Sequence, residues 1–288
     1  PIAYFLQWEQ KTPNNIFLRQ PKGANWKEIT YKEAGVEIRK LLTVLKQKGL
    51  QKGDHIGILS KNCYHWIIAD LAISLGGYIS VPYYASLPKN QLKEVIEKSD
   101  IKLLFAGKLD EWGNKNEALS ENLKVIKFPH YEGNAKVTAG EEWEDLMENI
   151  IGTEEINLPE LDDLWTILFT SGTTSGPRSE QYGPELDDLW TILFTSGTTG
   201  SPKGVMLNYR NVAVVFRDEE KYNTLGINEL KEHRFFSFLP LNHVAERIVI
   251  ESAALYKGGS ISFAESIDTF RENLKDTQPT VFFAVPRI

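Results

Sequence analysis

The sequence predicts an α/β fold in which mixed, mostly parallel sheets are flanked by helices. Short apolar runs, such as residues 55–59 and 101–106, have the length of buried strands. Segments with helical apolar spacing, such as 64–75, alternate with these runs. Strand–helix–strand alternation favours a parallel sheet with helices on both faces.

The first half of the chain supplies most of the predicted elements. Thr30 is the expected N-cap of a helix over 31–48, with Glu33 in its first turn and Gly49 at its end. A helix over 87–98 tolerates Pro88 in its first turn. The other elements predicted up to residue 150 are strands at 55–59, 78–84, 101–106 and 123–128 and helices at 64–75 and 141–150.

The alternation resumes after Gly204. Helices are predicted over 208–222, 243–256 and 267–275, and strands over 235–239, 260–263 and 280–285. The charge-rich stretches at 107–122 and 131–159 are interpreted as solvated surface excursions around the core. Two α/β subdomains are the expected organisation.

Composition narrows the range of partners. The 288 residues are 42% hydrophobic, enough for a sizeable core, and the formal net charge is −7. Without a basic excess we expect no nucleic-acid partner. Binding of a phosphate group is compatible with an acidic chain, because a phosphate site needs only local amide donors and one or two cations.

The cysteine content and the apolar segments bear on the cellular compartment. Cys63 is the only cysteine, which excludes an internal disulfide and fits a reducing compartment. The chain shows no charged and apolar leader, and its most apolar region, 66–84, is interrupted by Asp70, a Gly pair and Pro82. We expect a cytoplasmic protein without a transmembrane segment. Peripheral contact with a membrane is compatible with this expectation.

One segment of the chain occurs twice. Residues 159–174 read PELDDLWTILFTSGTT, and residues 184–199 repeat that string without a difference. Because one position in a sheet cannot hold both copies, we expect the second copy to lie in the core. The predicted units are a first subdomain at 1–158, an insertion at 159–183, and a second subdomain at 184–288 that is incomplete at its C-terminus.

The second copy leads into a loop whose residues suit phosphate binding. The loop consists of Thr195, Ser196, Gly197, Thr198, Thr199, Gly200, Ser201, Pro202, Lys203 and Gly204. Small residues let backbone amides approach phosphate oxygens, hydroxyls add donors, and Lys203 supplies a cation. The loop is not of the Walker type, since no Ser or Thr follows the lysine. A flexible Ser/Thr/Gly linker is the structural alternative.

This string resembles the signature loop of the adenylate-forming superfamily, which includes acyl-CoA synthetases, firefly luciferases and peptide-synthetase adenylation domains. Residues 238–247, FLPLNHVAER, are similar to a further motif in the version found in long-chain fatty-acid–CoA ligases. Residues 280–287 and 81–84 resemble other regions of the same group. The resemblance covers nearly the whole chain and implies the N-terminal domain of the adenylate-forming fold, truncated.

The resemblance implies activation of a fatty acid by ATP as an acyl-adenylate, followed by thioester formation with coenzyme A. The loop from Thr195 to Gly204 would bind the ATP phosphates, Thr195 would ligate Mg²⁺, and Lys203 would be a catalytic cation. His243 would be catalytic beside the acyl carboxylate, and Glu246 would contact the acyl substrate. From spacing alone, His243 is interpreted as a helix cap or core residue. Glu246 and Arg247 point to different sides of a helix, so a solvated or structural ion pair is at least as good an interpretation for one of them.

Later segments of the family are missing from these 288 residues, including the acidic residue that shares the magnesium and the C-terminal domain with its lysine. We therefore expect no detectable acyl-CoA formation by this polypeptide alone. Two alternatives stay open. One is an adenylation enzyme whose acceptor is a carrier-protein thiol, and the other is a non-catalytic fragment of such an enzyme.

Overall fold

The part of the chain that the computed structural model describes covers residues 1–23, 25–153, 155–156, 158–170 and 203–284. Its strands are β1 (Ile16–Lys22), β2 (Asn25–Thr30), β3 (His55–Ser60), β4 (Ile79–Tyr83), β5 (Leu103–Gly107), β6 (Lys124–Lys127), β7 (Glu141–Glu142), β8 (Leu164–Thr170), β9 (Lys203–Asn208), β10 (Arg234–Ser237) and β11 (Ser260–Phe263). Its α-helices are α1 (Ile2–Lys11), α2 (Tyr31–Gln47), α3 (Tyr64–Leu75), α4 (Lys89–Ser99), α5 (Gly113–Asn116), α6 (Trp143–Met147), α7 (Tyr209–Tyr222), α8 (Val244–Glu246), α9 (Ala253–Lys257) and α10 (Phe270–Thr277). A π-helical turn, Arg247–Ser252, joins α8 to α9.

The strands form two sheets. Seven strands lie in the order β7-β6-β5-β3-β4-β8-β9, and only the β8–β9 pair in this sheet, as described, is antiparallel. The second sheet has the order β10-β11-β1-β2, with β10, β11 and β1 parallel and β2 antiparallel to β1. The predicted α/β class with mixed, mostly parallel sheets is confirmed.

Helix α3 lies at the centre of the core. All twelve of its residues are buried, as expected for a helix that is apolar around most of its circumference. The same continuous cluster includes Phe17 and Ile261 from the four-stranded sheet and Ile56 and Phe105 from the seven-stranded sheet. The two sheets therefore share one hydrophobic core.

Local sequence signals predicted several element ends within two residues. Helix α2 begins after Thr30, whose Oγ1 accepts a hydrogen bond from Glu33 N at 3.2 Å, while Glu33 Oε2 accepts one from Thr30 N at 2.8 Å. This reciprocal pair is a capping box. Gly49 adopts a φ of 83°, which explains why a glycine ends this helix.

Other elements differ from expectation. Residues before Thr30 form α1 and the β1–β2 hairpin, for which the sequence analysis predicted no element. The helix predicted over 243–256 is divided into α8, the π-turn and α9. Of the strand predicted over 280–285, the described part shows one bridge, between Val281 and Phe235, and residue 285 lies outside it.

The first copy of the duplicated string lies in the sheet. Strand β8 comes from this copy and pairs with β4 and β9. The expectation that the second copy provides the core strand is therefore wrong. The insertion at 159–183 stays a prediction. Both copies have the same side chains for this position in the sheet, because their sequences are identical. The subdomain boundaries stay a prediction, and residues 171–202 lie outside the described part.

A buried guanidinium ties β8 to the helices. Arg247 has no exposed surface, and its Nη2 donates to Asp70 Oδ2 of α3 at 2.5 Å. Its Nη1 donates to Thr166 Oγ1 of β8 at 2.7 Å, and its Nε donates to Glu251 Oε2 at 3.2 Å. Two indole rings flank the guanidinium, those of Trp66 and Trp165. One side chain thus holds α3, β8 and the π-turn together.

We expect Arg247→Ala to lower the free energy of unfolding by about 3–5 kcal/mol, because it leaves the buried carboxyl groups of Asp70 and Glu251 without their cation. Urea denaturation followed by circular dichroism measures the change. Arg210→Ala is the matched control, since Arg210 forms its ion pair with Asp162 at the surface and its loss should change stability little. Equal effects of the two substitutions would contradict this account of Arg247.

Candidate active site

Most of the predicted phosphate loop lies outside the described part of the chain. The loop residues outside it are Thr195, Ser196, Gly197, Thr198, Thr199, Gly200, Ser201 and Pro202. The Mg²⁺ ligand role of Thr195 therefore stays a prediction. Lys203 and Gly204 open β9, and their Cα atoms pair with Thr170 and Phe169 at the carboxyl end of β8. The structure thus describes where the loop rejoins the sheet.

Gly204 has a packing reason to be glycine. A Cβ atom at this position would lie 3.0 Å from Ile167 Cγ2, which is closer than most contacts that real Cβ atoms make. From the sequence, the glycine at this position is expected to allow close approach to phosphate. The structure adds that the absent side chain lets β9 pack against β8.

His243 caps the helical segment that contains Glu246. Its backbone N–H donates to Pro240 O at 2.8 Å, which closes the turn after β10, and its Nδ1 accepts a bond from Ala245 N at 3.3 Å. Because Nδ1 accepts, the neutral ring carries its proton on Nε2. Burial lowers the pKa of the half-buried His243, so the ring is neutral at pH 7. The helix-cap interpretation of His243 is confirmed, and its catalytic role stays a prediction.

Glu246 is turned towards the end of β10. Its carboxyl group is fully buried, and Oε1 accepts bonds from Ser237 Oγ at 2.8 Å and Phe238 N at 3.1 Å. Oε2 has no hydrogen-bond partner among the described residues. Burial raises the pKa of Glu246 to about 8, although the two donors oppose this shift. These contacts connect the helical segment to β10, and the proposed contact of Glu246 with an acyl substrate stays a prediction.

The described site residues form two groups at strand ends. His243 and Glu246 follow the carboxyl end of β10, and Lys203 and Gly204 lie beside the carboxyl end of β8. Arg247 connects the groups, because it follows Glu246 in sequence and donates to Thr166 of β8. The ion pair expected for either Glu246 or Arg247 is formed by Arg247, and sequence alone could not identify its partner Asp70, 177 positions away.

A cavity of about 470 Å³ opens elsewhere, near Lys108, His65 and Tyr131. None of the predicted site residues lines it. In the described ranges, no group of three or more His, Cys, Asp or Glu side chains is placed to hold a metal ion. None of the described helices is long and apolar enough to span a membrane.

The raised pKa of Glu246 predicts a pH-dependent stability. Between the ordinary value of 4.5 and about 8, the folded chain keeps a proton on Glu246 that the unfolded chain releases. The free energy of unfolding therefore falls as pH rises through this window, by up to about 1.4 kcal/mol per pH unit from this group. Glu246→Gln cannot titrate, so we expect it to flatten the decline.

Urea denaturation at several pH values between about 6.5 and 8 measures this effect. The comparison of slopes isolates Glu246, since other buried groups titrate equally in both proteins. Glu229→Gln serves as the control, because Glu229 is exposed and its neutral replacement should leave the slope unchanged. The same slope for Glu246→Gln and the unaltered chain would show that the carboxyl group does not titrate in this range.

Comparison with known proteins identifies the family to which the chain belongs. The model of the AMP-binding enzyme family matches residues 5–179 and 178–288. The two matched segments meet between the copies of the duplicated string, so each contains one copy. Fatty acyl-CoA synthetase A of Dictyostelium discoideum is 31% identical over 287 residues, which cover 94% of this chain and 38% of that protein.

Long-chain-fatty-acid–CoA ligase 1 of Homo sapiens is 30% identical over 276 residues, which cover 90% of this chain and 36% of that protein. The chain thus spans less than half the length of these relatives. The structure of o-succinylbenzoate coenzyme A synthetase from Bacillus subtilis, in complex with ATP and magnesium ion, matches with a TM-score of 0.71 at 19% identity, over 98% of this chain and 49% of that one. Matched by the family model over nearly its whole length, the chain belongs to the AMP-binding enzyme family.

Proposed function

We propose that the protein containing these residues activates a long-chain fatty acid for transfer to coenzyme A. The acid's carboxylate oxygen attacks the α-phosphorus of ATP and pyrophosphate leaves; the coenzyme A thiol then attacks the acyl carbon and AMP leaves. The observation that carries this proposal is the similarity to long-chain acyl-CoA synthetases over at least 90% of the chain. A cytoplasmic location with peripheral membrane contact suits substrates of this kind.

The proposed reaction requires mainly the stabilisation of negative charge. Charge develops on the α-phosphate and on the leaving pyrophosphate, so amide donors, hydroxyls and cations at fixed positions lower the barrier. Thr195 to Gly204 would supply these donors to the phosphates, with Thr195 holding Mg²⁺ and Lys203 neutralising charge. The entry of Lys203 into β9 beside β8 supports this role, because it gives one end of the loop a fixed position.

His243 is the proposed contact for the acyl carboxylate. Its neutral ring would donate from Nε2 to an oxygen of the carboxylate or of the α-phosphate. A neutral donor binds the negative charge without neutralising the nucleophile, which keeps the carboxylate reactive. The hydrogen bond at Nδ1 supports this assignment, because it selects the tautomer that donates from Nε2.

One observation favours the alternative of a polypeptide without catalysis. The copy of the duplicated string in the sheet continues as Ser175, Gly176, Pro177, Arg178 and Ser179, which lacks the Lys-Gly pair of the second copy. The strand that should lead directly into Lys203 is therefore separated from it by residues 171–202. We expect weak ATP binding and no detectable thioester formation by the 288-residue polypeptide.

Acid-dependent pyrophosphate exchange by the whole protein tests the proposed reaction. Palmitate should support exchange and acetate should not, and absence of exchange with any fatty acid would refute the proposal. Transfer to coenzyme A rather than to a carrier-protein thiol would then identify the acceptor.

ATP binding by the 288-residue chain should depend on Lys203. Because a hydrogen bond to a charged group contributes about 1.5–3 kcal/mol, Lys203→Ala should weaken the affinity for MgATP by about tenfold or more. Isothermal titration calorimetry measures the affinity. Lys231→Ala is the control, since Lys231 is exposed in the connection after α7. Equal affinity of both variants would remove Lys203 from the phosphate site.

Deletion of residues 175–199 should strengthen ATP binding. It joins Thr174 to Gly200, so that β8 leads through one uninterrupted loop, TSGTTGSPKG, into β9. The β8–β9 pairing is preserved, and a shorter connection costs less loop-closure entropy. Calorimetry should show a lower Kd for MgATP and denaturation should show undiminished stability. The same deletion carrying Lys203→Ala is the control, and an unchanged Kd after the simple deletion would contradict the expectation.

A further inference from the structure

The side chain of Asn62 forms three hydrogen bonds that connect the two sheets. It follows the carboxyl end of β3 and is 7% exposed. Its Nδ2 donates to Leu239 O at 2.6 Å and to Ser237 Oγ at 2.8 Å, and its Oδ1 accepts from Leu241 N at 3.0 Å. Both amide hydrogens and the amide oxygen are therefore used, on the last residue of β10 and on the segment between β10 and His243.

These bonds replace backbone pairing where β10 ends. Leu239 and Leu241 flank Pro240, which has no N–H to donate. The Asn62 amide bonds the backbone of both neighbours, and so supplies the partners that an adjacent strand would otherwise provide. The segment then closes its own turn through the bond from His243 N to Pro240 O at 2.8 Å. Asn62 thereby fixes the residues immediately before His243 from the opposite sheet.

The same amide also reaches the residues after His243. Ser237 Oγ accepts from Asn62 and donates to Glu246 Oε1, one helical turn beyond His243. Asn62 is itself held, because the buried Lys108 Nζ donates to Asn62 O at 2.8 Å and to Ala264 O at 3.0 Å. The amide hydrogens, the amide oxygen and the backbone carbonyl of Asn62 all have partners, so the position of Asn62 is well determined.

We propose that Asn62 is a positioning residue, whose side-chain amide holds the 239–243 segment and so sets the location and burial of the His243 ring. The inference rests on the proposed function for the importance of His243, but its test needs neither ATP nor acyl substrate. Asn62 acts through the segment it holds and makes no contact of its own with the proposed reacting atoms.

The test is NMR of the 288-residue chain with ¹³C-labelled histidine. In Asn62→Ala, the pKa of His243 should rise towards its ordinary value of 6.5, because a loosened segment exposes the ring to water. Hydrogen exchange of the Leu241 amide should accelerate by about tenfold or more, since its acceptor is gone. His243→Gln identifies the His243 signal.

Asn273→Ala is the matched control. Asn273 is also 7% exposed and also holds a loop, through bonds from Glu265 N and Thr269 Oγ1 to its Oδ1. It should lose stability while leaving the His243 pKa unchanged. A change in the His243 pKa as large as that in Asn62→Ala would overturn the proposal, because general destabilisation would then explain both.

Asn62→Asp covers the case in which Asn62→Ala does not fold. The aspartate keeps the size of the side chain and an oxygen for Leu241 N, but it has no donor for Leu239 O and Ser237 Oγ. The His243 pKa should again rise, and an unchanged value in a folded Asn62 variant would overturn the proposal. So would rapid exchange of the Leu241 amide in the unaltered chain. If the whole protein shows no pyrophosphate exchange with any fatty acid, the proposed function fails while these comparisons keep their meaning.

Discussion

The buried charge of Arg247 is the constraint on which the arrangement of the site depends. A guanidinium without water must find acceptors in the protein, and those of Arg247 come from α3, from β8 and from the π-turn. Moving β8 by one residue would turn Thr166 to the other face of the sheet and break this set. The register of β8 is therefore coupled to the helical segment that begins at His243.

The sequence predicted the parts of the fold that depend on neighbouring residues. The capping box of α2 and the apolar run of α3 are local, so their elements were predicted within two residues. The partners of Arg247 and Asn62 could not be predicted, because Asp70 and Leu241 lie 177 and 179 positions from them. The choice between the two copies failed for another reason: identical strings make identical contacts, and pattern alone cannot rank them.

The candidate site was predicted less completely than the fold. The motif at 238–247 identified His243, and the structure explains how its ring is oriented and why it is neutral. The same motif suggested Glu246 as a substrate contact, whereas its carboxyl group is occupied with Ser237 and Phe238. A motif thus identifies a region, but the contacts of each side chain decide whether it faces a ligand or supports a neighbour that does.

The duplicated string also affects how genetic data on this protein should be interpreted. Each residue of β8 has an identical counterpart 25 positions later in the chain. A single substitution in β8 therefore leaves one unaltered version of the strand sequence in the same polypeptide. If a mutational scan finds that substitutions in this strand are tolerated, the reason can be the second copy of the sequence rather than a lack of importance of the strand. Thr166 and Thr191 must be varied together to distinguish these two explanations.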